Sequence, residues 1–147
     1  MNSSCPTAGL PRRLAAMFYD SLLLFALLML AATPVVMLAG GADSALIRSP
    51  LYFLYLYGIS FGFFGWFWTR GGQTLGMRSW KLQLVREDNR PPGWQEAFFR
   101  YLLATVSLLL FGLGFIWILF DKQKLAWHDI QSKTRIIVNP DIGRRAA

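Results

Sequence analysis

Between Leu14 and Leu38 the sequence carries one charged residue, Asp20, and no other feature narrows the choice of fold as much. A helix needs ~20 apolar residues to cross a bilayer, and this stretch is long enough. A carboxylate inside such a span costs on the order of 2.5–3.5 kcal/mol on insertion scales, so packing or function must account for it. Arg13 precedes it by seven residues, about two helical turns, and faces the same way ~10 Å along the axis. That gap is too wide for contact unless the arginine bends. Asp20 is therefore expected to meet a partner on another helix, hold a proton or bind a cation.

Two more apolar runs follow, at about 51–69 and 97–120, giving an all-α membrane architecture with three apolar helical segments. Hydrophobic residues make up 54% of the 147-residue chain and charged residues only 16%. The charges lie in the gaps between runs, which excludes a soluble domain whose helices each carry a polar stripe. Arg12 and Arg13 ahead of an apolar run imitate a signal peptide, but the run is longer than the ~7–15 residues of a signal core and holds an acid, so a retained span is expected. Pro34 is placed to kink or finish it. The lone Cys5 cannot form an internal disulfide, and a bridge between chains is disfavoured by a cytoplasmic N-terminus.

The net charge of +7 gathers beside the apolar segments, where it suits anionic lipid headgroups and sets topology. No zinc spacing or recognition-helix pattern accompanies it, so nucleic acid is not an expected partner. In the second run Gly58, Gly62 and Gly65 fall on one face, and Gly58 with Gly62 makes a GxxxG that lets a helix approach closely. The first span is the expected neighbour; a homo-oligomer through the same face is the rival.

The third run poses a topological problem. Residues 70–100 hold six basic residues (Arg70, Arg78, Lys81, Arg86, Arg90, Arg100), and six more follow Phe120 (Lys122, Lys124, Lys133, Arg135, Arg144, Arg145). Both groups belong on the cytoplasmic face by the positive-inside rule, yet one crossing would separate them. Gly112 and Gly114 interrupt the run, and a broken hairpin would return the chain to the same side if its turn is buried in protein. A single span is the simpler alternative. Two strand-like segments tip the choice toward the hairpin. Residues 81–86 alternate polar and apolar before a turn signal, and Thr134–Val138 is β-branched and ends at Asn139-Pro140. Neither is stable alone, and pairing as a two-stranded cytoplasmic element needs both on one side.

These residues resemble the RDD family of small membrane proteins, named for one arginine and two aspartates. The resemblance spans residues 10–138, flanked by a tail at 1–10 and a basic tail at 139–147. Its first-helix arginine and aspartate correspond to Arg13 and Asp20. A glycine-rich turn corresponds to Gly72-Gln73-Thr74-Leu75-Gly76-Met77-Arg78, an arginine opening the next helix to Arg100, and a His-Asp pair to His128-Asp129. Asp129 is taken as the second aspartate ahead of Asp121. Trp127 departs from the pattern, standing where an aliphatic residue usually precedes the pair. The family implies transport of ions or small ligands.

The candidate ligand- or ion-binding set is thus Arg13, Asp20, Arg100 and Asp129. Asp20 opposed by Arg100 would be a structural pair; facing a wet cavity it would respond to protons or cations. Asp129 is expected to cap a helix, pair with Arg78 or Arg100, or tie the last strand down. One histidine without a ligand cluster makes no metal site, no nucleophile elbow is present, and the glycine turn lacks the Lys-Ser/Thr ending of a phosphate loop. No enzyme, cofactor or metal is therefore expected. The leading reading is transport of a small ion or solute in a bacterial inner membrane, with residues 70–96 cytoplasmic and a homo-oligomer completing the pathway. The alternative is a non-transporting assembly, scaffold or regulatory subunit.

Overall fold

The computed structural model describes residues 6–122 and 124–139, and at Phe115 the backbone alone; Cys5, Arg144 and Arg145 lie outside them. Helix α1 spans Leu10–Leu38 and α2 Pro50–Gly71. Each has a proline in its first turn, where the missing N–H would have lacked a partner anyway. Pro34 sits inside α1 without ending it. The helices have 29 and 22 residues, roughly 43 and 33 Å at 1.5 Å per residue, against a hydrocarbon core of ~30 Å. Both are apolar enough to cross a membrane, and only 6% and 17% of their most apolar stretches are buried. That exposure separates them from the core helices of a soluble domain. Leu30 and Met37 are each 75% exposed, as side chains in contact with lipid would be.

The expected polar loop at 70–96 is structured. Helix α3 covers Leu75–Ser79 and strand β1 Leu82–Arg86, and β1 pairs antiparallel with β2 (Thr134–Val138), Leu84 standing opposite Ile136. Residues 6–8 are not a separate tail: the Ala8 N–H donates to the Ile136 carbonyl and the Val138 N–H to the Pro6 carbonyl, both at 2.9 Å. The end of α2 joins the same sheet. Gly72 caps the helix at φ +68°, and its carbonyl accepts from the Leu84 N–H at 2.6 Å. A Cβ at Gly72 would strike the Leu84 carbonyl, so this left-handed cap requires glycine. Helix α1 therefore departs from the sheet and α2 returns to it.

A single helix across 97–120 does not form. Helix α4 runs Trp94–Leu109, and the chain reverses at Phe111 and Gly112, both with positive φ. The short α5 (Leu113–Ile116) and a 3-10 turn at Trp117–Leu119 follow. The Gly112 N–H donates to the Ser107 carbonyl at 2.8 Å, and Gly114 packs so tightly on Ser107 that a Cβ would lie 2.9 Å from the serine Cβ. The run is broken and folded back on α4, its second half shorter than a half-helix. Helix α6 (Trp127–Gln131) then leads into β2.

The GxxxG does not receive the first span. Nothing stands within 4 Å of a Cβ placed on Gly58 or Gly62, while one on Gly65 would meet the Trp94 ring of α4 at 2.8 Å. Phe61 of α2 likewise packs its ring on Phe98 and Tyr101 of α4, with centroids 5.4 and 5.5 Å apart. Helix α1 is drawn instead to α3, where the Gly76 backbone lies against the Ala16 carbonyl and leaves no room for a side chain. The core sits at this end, built from Ala16, Trp68, Met77, Leu82, Leu84 and Ala97 among others.

Candidate functional site

Asp129 occupies the third position of α6 and reaches back to accept from the Ala126 N–H at 2.9 Å, satisfying a donor at the helix start. Its carboxylate is fully buried and receives two arginines from opposite sides. Arg13 Nη1 of α1 donates to Oδ2 and Arg100 Nη1 of α4 to Oδ1, both at 2.5 Å. Arg13 also donates Nε to the Ala8 carbonyl and Nη2 to the Lys124 carbonyl, each at 3.0 Å. Arg100 Nη1 further reaches Thr134 Oγ1 at 2.9 Å. One carboxylate thus ties together α1, α4, α6 and the start of β2. Burial pushes Asp129 up, but the charges of Arg100 and Arg13 outweigh it and hold the group well below the usual carboxylate range.

His128 is buried alongside, its Nε2 3.7 Å from Asp129 Oδ1. Burial, then the Arg100 charge, pushes it down to about 3, against ~6.5 for a free histidine. The folded protein keeps His128 neutral where the unfolded chain takes up a proton. Its contribution to stability is complete above pH ~6.5 and is lost progressively as pH falls from there toward ~3, with a limiting slope of ~1.4 kcal/mol per pH unit. Denaturation at pH values from ~6.5 down to ~4.5 should show that decline, and His128→Gln should flatten it. An unchanged slope in the variant would assign the titration to another group.

Asp20 does not pair with either arginine. Its Oδ2 accepts from Thr74 Oγ1 at 2.5 Å and its Oδ1 from the Gly76 N–H at 2.9 Å. Thr74 Oγ1 in turn accepts from the Met77 N–H at 3.2 Å, capping α3. Of the two alternatives for Asp20, opposition to Arg100 is not the one realised: the turn after α2 delivers two donors to the flank of α1, while α6 delivers Asp129 to the arginines. Arg78 is exposed and Asp121 caps a local turn at Leu125 N–H, so neither joins the cluster. Asp20 is buried on the same stripe of α1 as Arg13 and Ala16, within the part of the helix covered by α3.

A cavity of about 390 Å³ opens between α1, α2 and α4, over a floor of α3 and the sheet. Asp20 is the one acid among its lining residues, with Arg13 and Arg100 the cations; its walls are mainly apolar. Tyr101 donates to Ser60 Oγ at 2.7 Å and Tyr57 to Thr105 Oγ1 at 3.2 Å across the gap between α2 and α4. Among the described residues no group of His, Cys, Asp and Glu side chains is placed to hold a metal ion.

The model of the RDD family matches residues 7–133. The chain belongs to the RDD family. Its two apolar helices and that membership fit a membrane protein. No curated protein and no solved structure matches the chain significantly.

In this RDD chain, Arg13, Arg100 and Asp129 form one cluster and Asp20 a second, both opening from the same end of α1. Sequence reasoning missed Thr74 and Thr134, the hydroxyl partners of the two clusters. Thr74 had a legible signal, a threonine just ahead of a short helical turn, which is an N-cap pattern. Thr134 had none beyond its place at the head of a strand.

Proposed function

We propose that this RDD protein is an integral membrane protein that carries a small ion or solute through the cavity beside α1, with Asp20 as its proton- or cation-responsive group. The supporting observation is the place of Asp20: it is the one lining acid, and its carboxyl oxygens hold the Thr74–Gly76 turn at the cavity floor. Neutralising that carboxylate would weaken the Gly76 N–H bond and loosen α3, coupling occupancy of the acid to movement of the floor. Proton and cation flux in proteoliposomes, native against Asp20→Asn, tests this.

The basic residues from Arg70 to Arg90 and from Lys122 to Arg135 support a bacterial inner membrane with residues 70–96 facing the cytoplasm, since the loop between α1 and α2 holds only Arg48, which is paired with Asp43. Self-association would use the open face at Gly58 and Gly62 and give the pathway a second wall. A Cβ on Gly62 meets nothing within 4 Å, so Gly62→Ala should leave folding intact while reducing cross-linked oligomer in membranes. Unchanged cross-linking would rule out that face.

The competing reading is a non-transporting assembly, scaffold or regulatory subunit. It is favoured by the fact that both carboxylates, Asp20 and Asp129, already have their oxygens occupied by donors of the same chain. Absence of flux from the native protein across protons, cations and a solute panel would move the weight to it.

A further inference from the structure

Arg100 leaves part of its guanidinium unused. The residue is only 3% exposed, and its two side-chain hydrogen bonds, to Asp129 and Thr134, both leave from Nη1. Among the described residues nothing accepts a hydrogen bond from Nε or Nη2. Arg100 lines the cavity, with its guanidinium carbon 5.5 Å from the Trp68 ring centroid. Neither nitrogen is sealed from solvent, so this edge offers charged donors to whatever enters the cavity, and an anionic or strongly polar occupant suits it best. Arg13 and Arg100 share the one carboxylate of Asp129, so their own cluster carries one positive charge more than it neutralises, while Asp20, the other acid at the cavity, is held by Thr74 and Gly76 instead.

The rest of the cavity narrows the choice of occupant. Its hydroxyls are already engaged, Tyr101 with Ser60, Tyr57 with Thr105 and Ser21 with the Phe18 carbonyl, and the oxygens of Asp20 are taken by Thr74 and Gly76. The remaining wall is apolar, including Leu24, Phe64, Leu84 and Ala104. A many-hydroxyl solute would find few free partners there. The volume falls in the ~300–1,000 Å³ range of sites for small organic ligands. At the rim stand Met17 and Leu108, 37% and 64% exposed, on α1 and α4. The mouth therefore faces sideways, into the acyl layer if α1 spans the membrane.

We propose that the cavity binds an amphiphile with a single anionic head, the head seated on the free edge of Arg100 and the apolar tail lying along the walls toward the mouth between α1 and α4. The inference rests on the membrane reading of α1 and α2, and not on the occurrence of transport. It supplies the substrate class if transport occurs. A free fatty carboxylate and the phosphate of an anionic bilayer lipid present the same chemistry to Arg100, so both are tested.

The experiment uses the full chain in vesicles of zwitterionic lipid and reads fluorescence quenching of Trp68, isolated as the part lost in Trp68→Phe. Three brominated probes are compared: decanoate, decanol and phosphatidylglycerol. Decanoate should quench at a concentration at least about tenfold below decanol, as expected for one charge-assisted hydrogen-bonded seat. Ala104→Phe, which adds a ring inside the cavity one turn of α4 beyond Arg100 and replaces no charged residue, should abolish that difference in a protein that still melts as the native does. Quenching by phosphatidylglycerol with no preference for decanoate would assign the seat to a bilayer lipid. Equal quenching by decanoate and decanol, with none specific to phosphatidylglycerol, would overturn the proposal, as would selectivity that survives Ala104→Phe. Binding of the probe without Asp20-dependent flux would retain this site and remove transport. Cation flux without selective quenching would do the reverse.

Discussion

Replacing Asp129 by alanine should destabilise the protein by on the order of 3–5 kcal/mol, because it strands two buried guanidinium groups that share one partner. Arg13 and Arg100 both donate to this carboxylate and both are nearly inaccessible to solvent. Without it, their charges repel across a site almost closed to solvent. The start of α6 also loses the acceptor for its Ala126 N–H. Asp129→Asn should be less severe, since an amide oxygen can still accept from one arginine. Reversible unfolding in detergent, followed by helix signal against denaturant, measures the loss. A cost under about 1 kcal/mol would mean that the cluster is not closed as described. Joint replacement of all three charged residues by apolar side chains of similar volume should recover much of the stability, since a buried pair is weak as a source of net stability but costly to break singly.

Asp20→Asn should reduce proton or cation flux at least about tenfold, the scale expected from losing one charged acceptor at a buried site. The carboxylate accepts from both Thr74 and Gly76. An amide offers one oxygen and turns its donor group toward the other partner, so one of the two bonds is lost together with the charge. The variant must first be shown to insert and fold, because Thr74 also caps α3 and a loosened turn could impair assembly. Flux unchanged in a folded variant would remove Asp20 from the pathway.

Much of the fold was legible because hydropathy and β-branching are local signals. The two long apolar helices, the break at Gly112 and the pairing of the Leu82–Arg86 and Thr134–Val138 segments all follow from composition and period within a short window. The partners of the charged residues were not legible. Arg13 and Asp20 share a face of α1, and a sequence places Arg100 against either acid equally well. The choice was made by a turn: the αL cap at Gly72 and the absence of a side chain at Gly76 bring Thr74 and a backbone N–H onto Asp20, which leaves both arginines to Asp129. The glycine face misled for a related reason. Small residues permit a close approach without naming the approaching helix, and Gly58 and Gly62 stay open.

If α1 and α2 each cross the membrane once, the N-terminal segment, both strands and the two charged clusters meet at one face. Cysteine accessibility in oriented vesicles tests this most directly, with Cys5 replaced by serine and single cysteines introduced at Ser44, Asp88 and Lys133. Asp88 and Lys133 should be labelled from one side of the membrane and Ser44 only from the other. Labelling of Ser44 from the same side as Asp88, or of Asp88 and Lys133 from opposite sides, would contradict it.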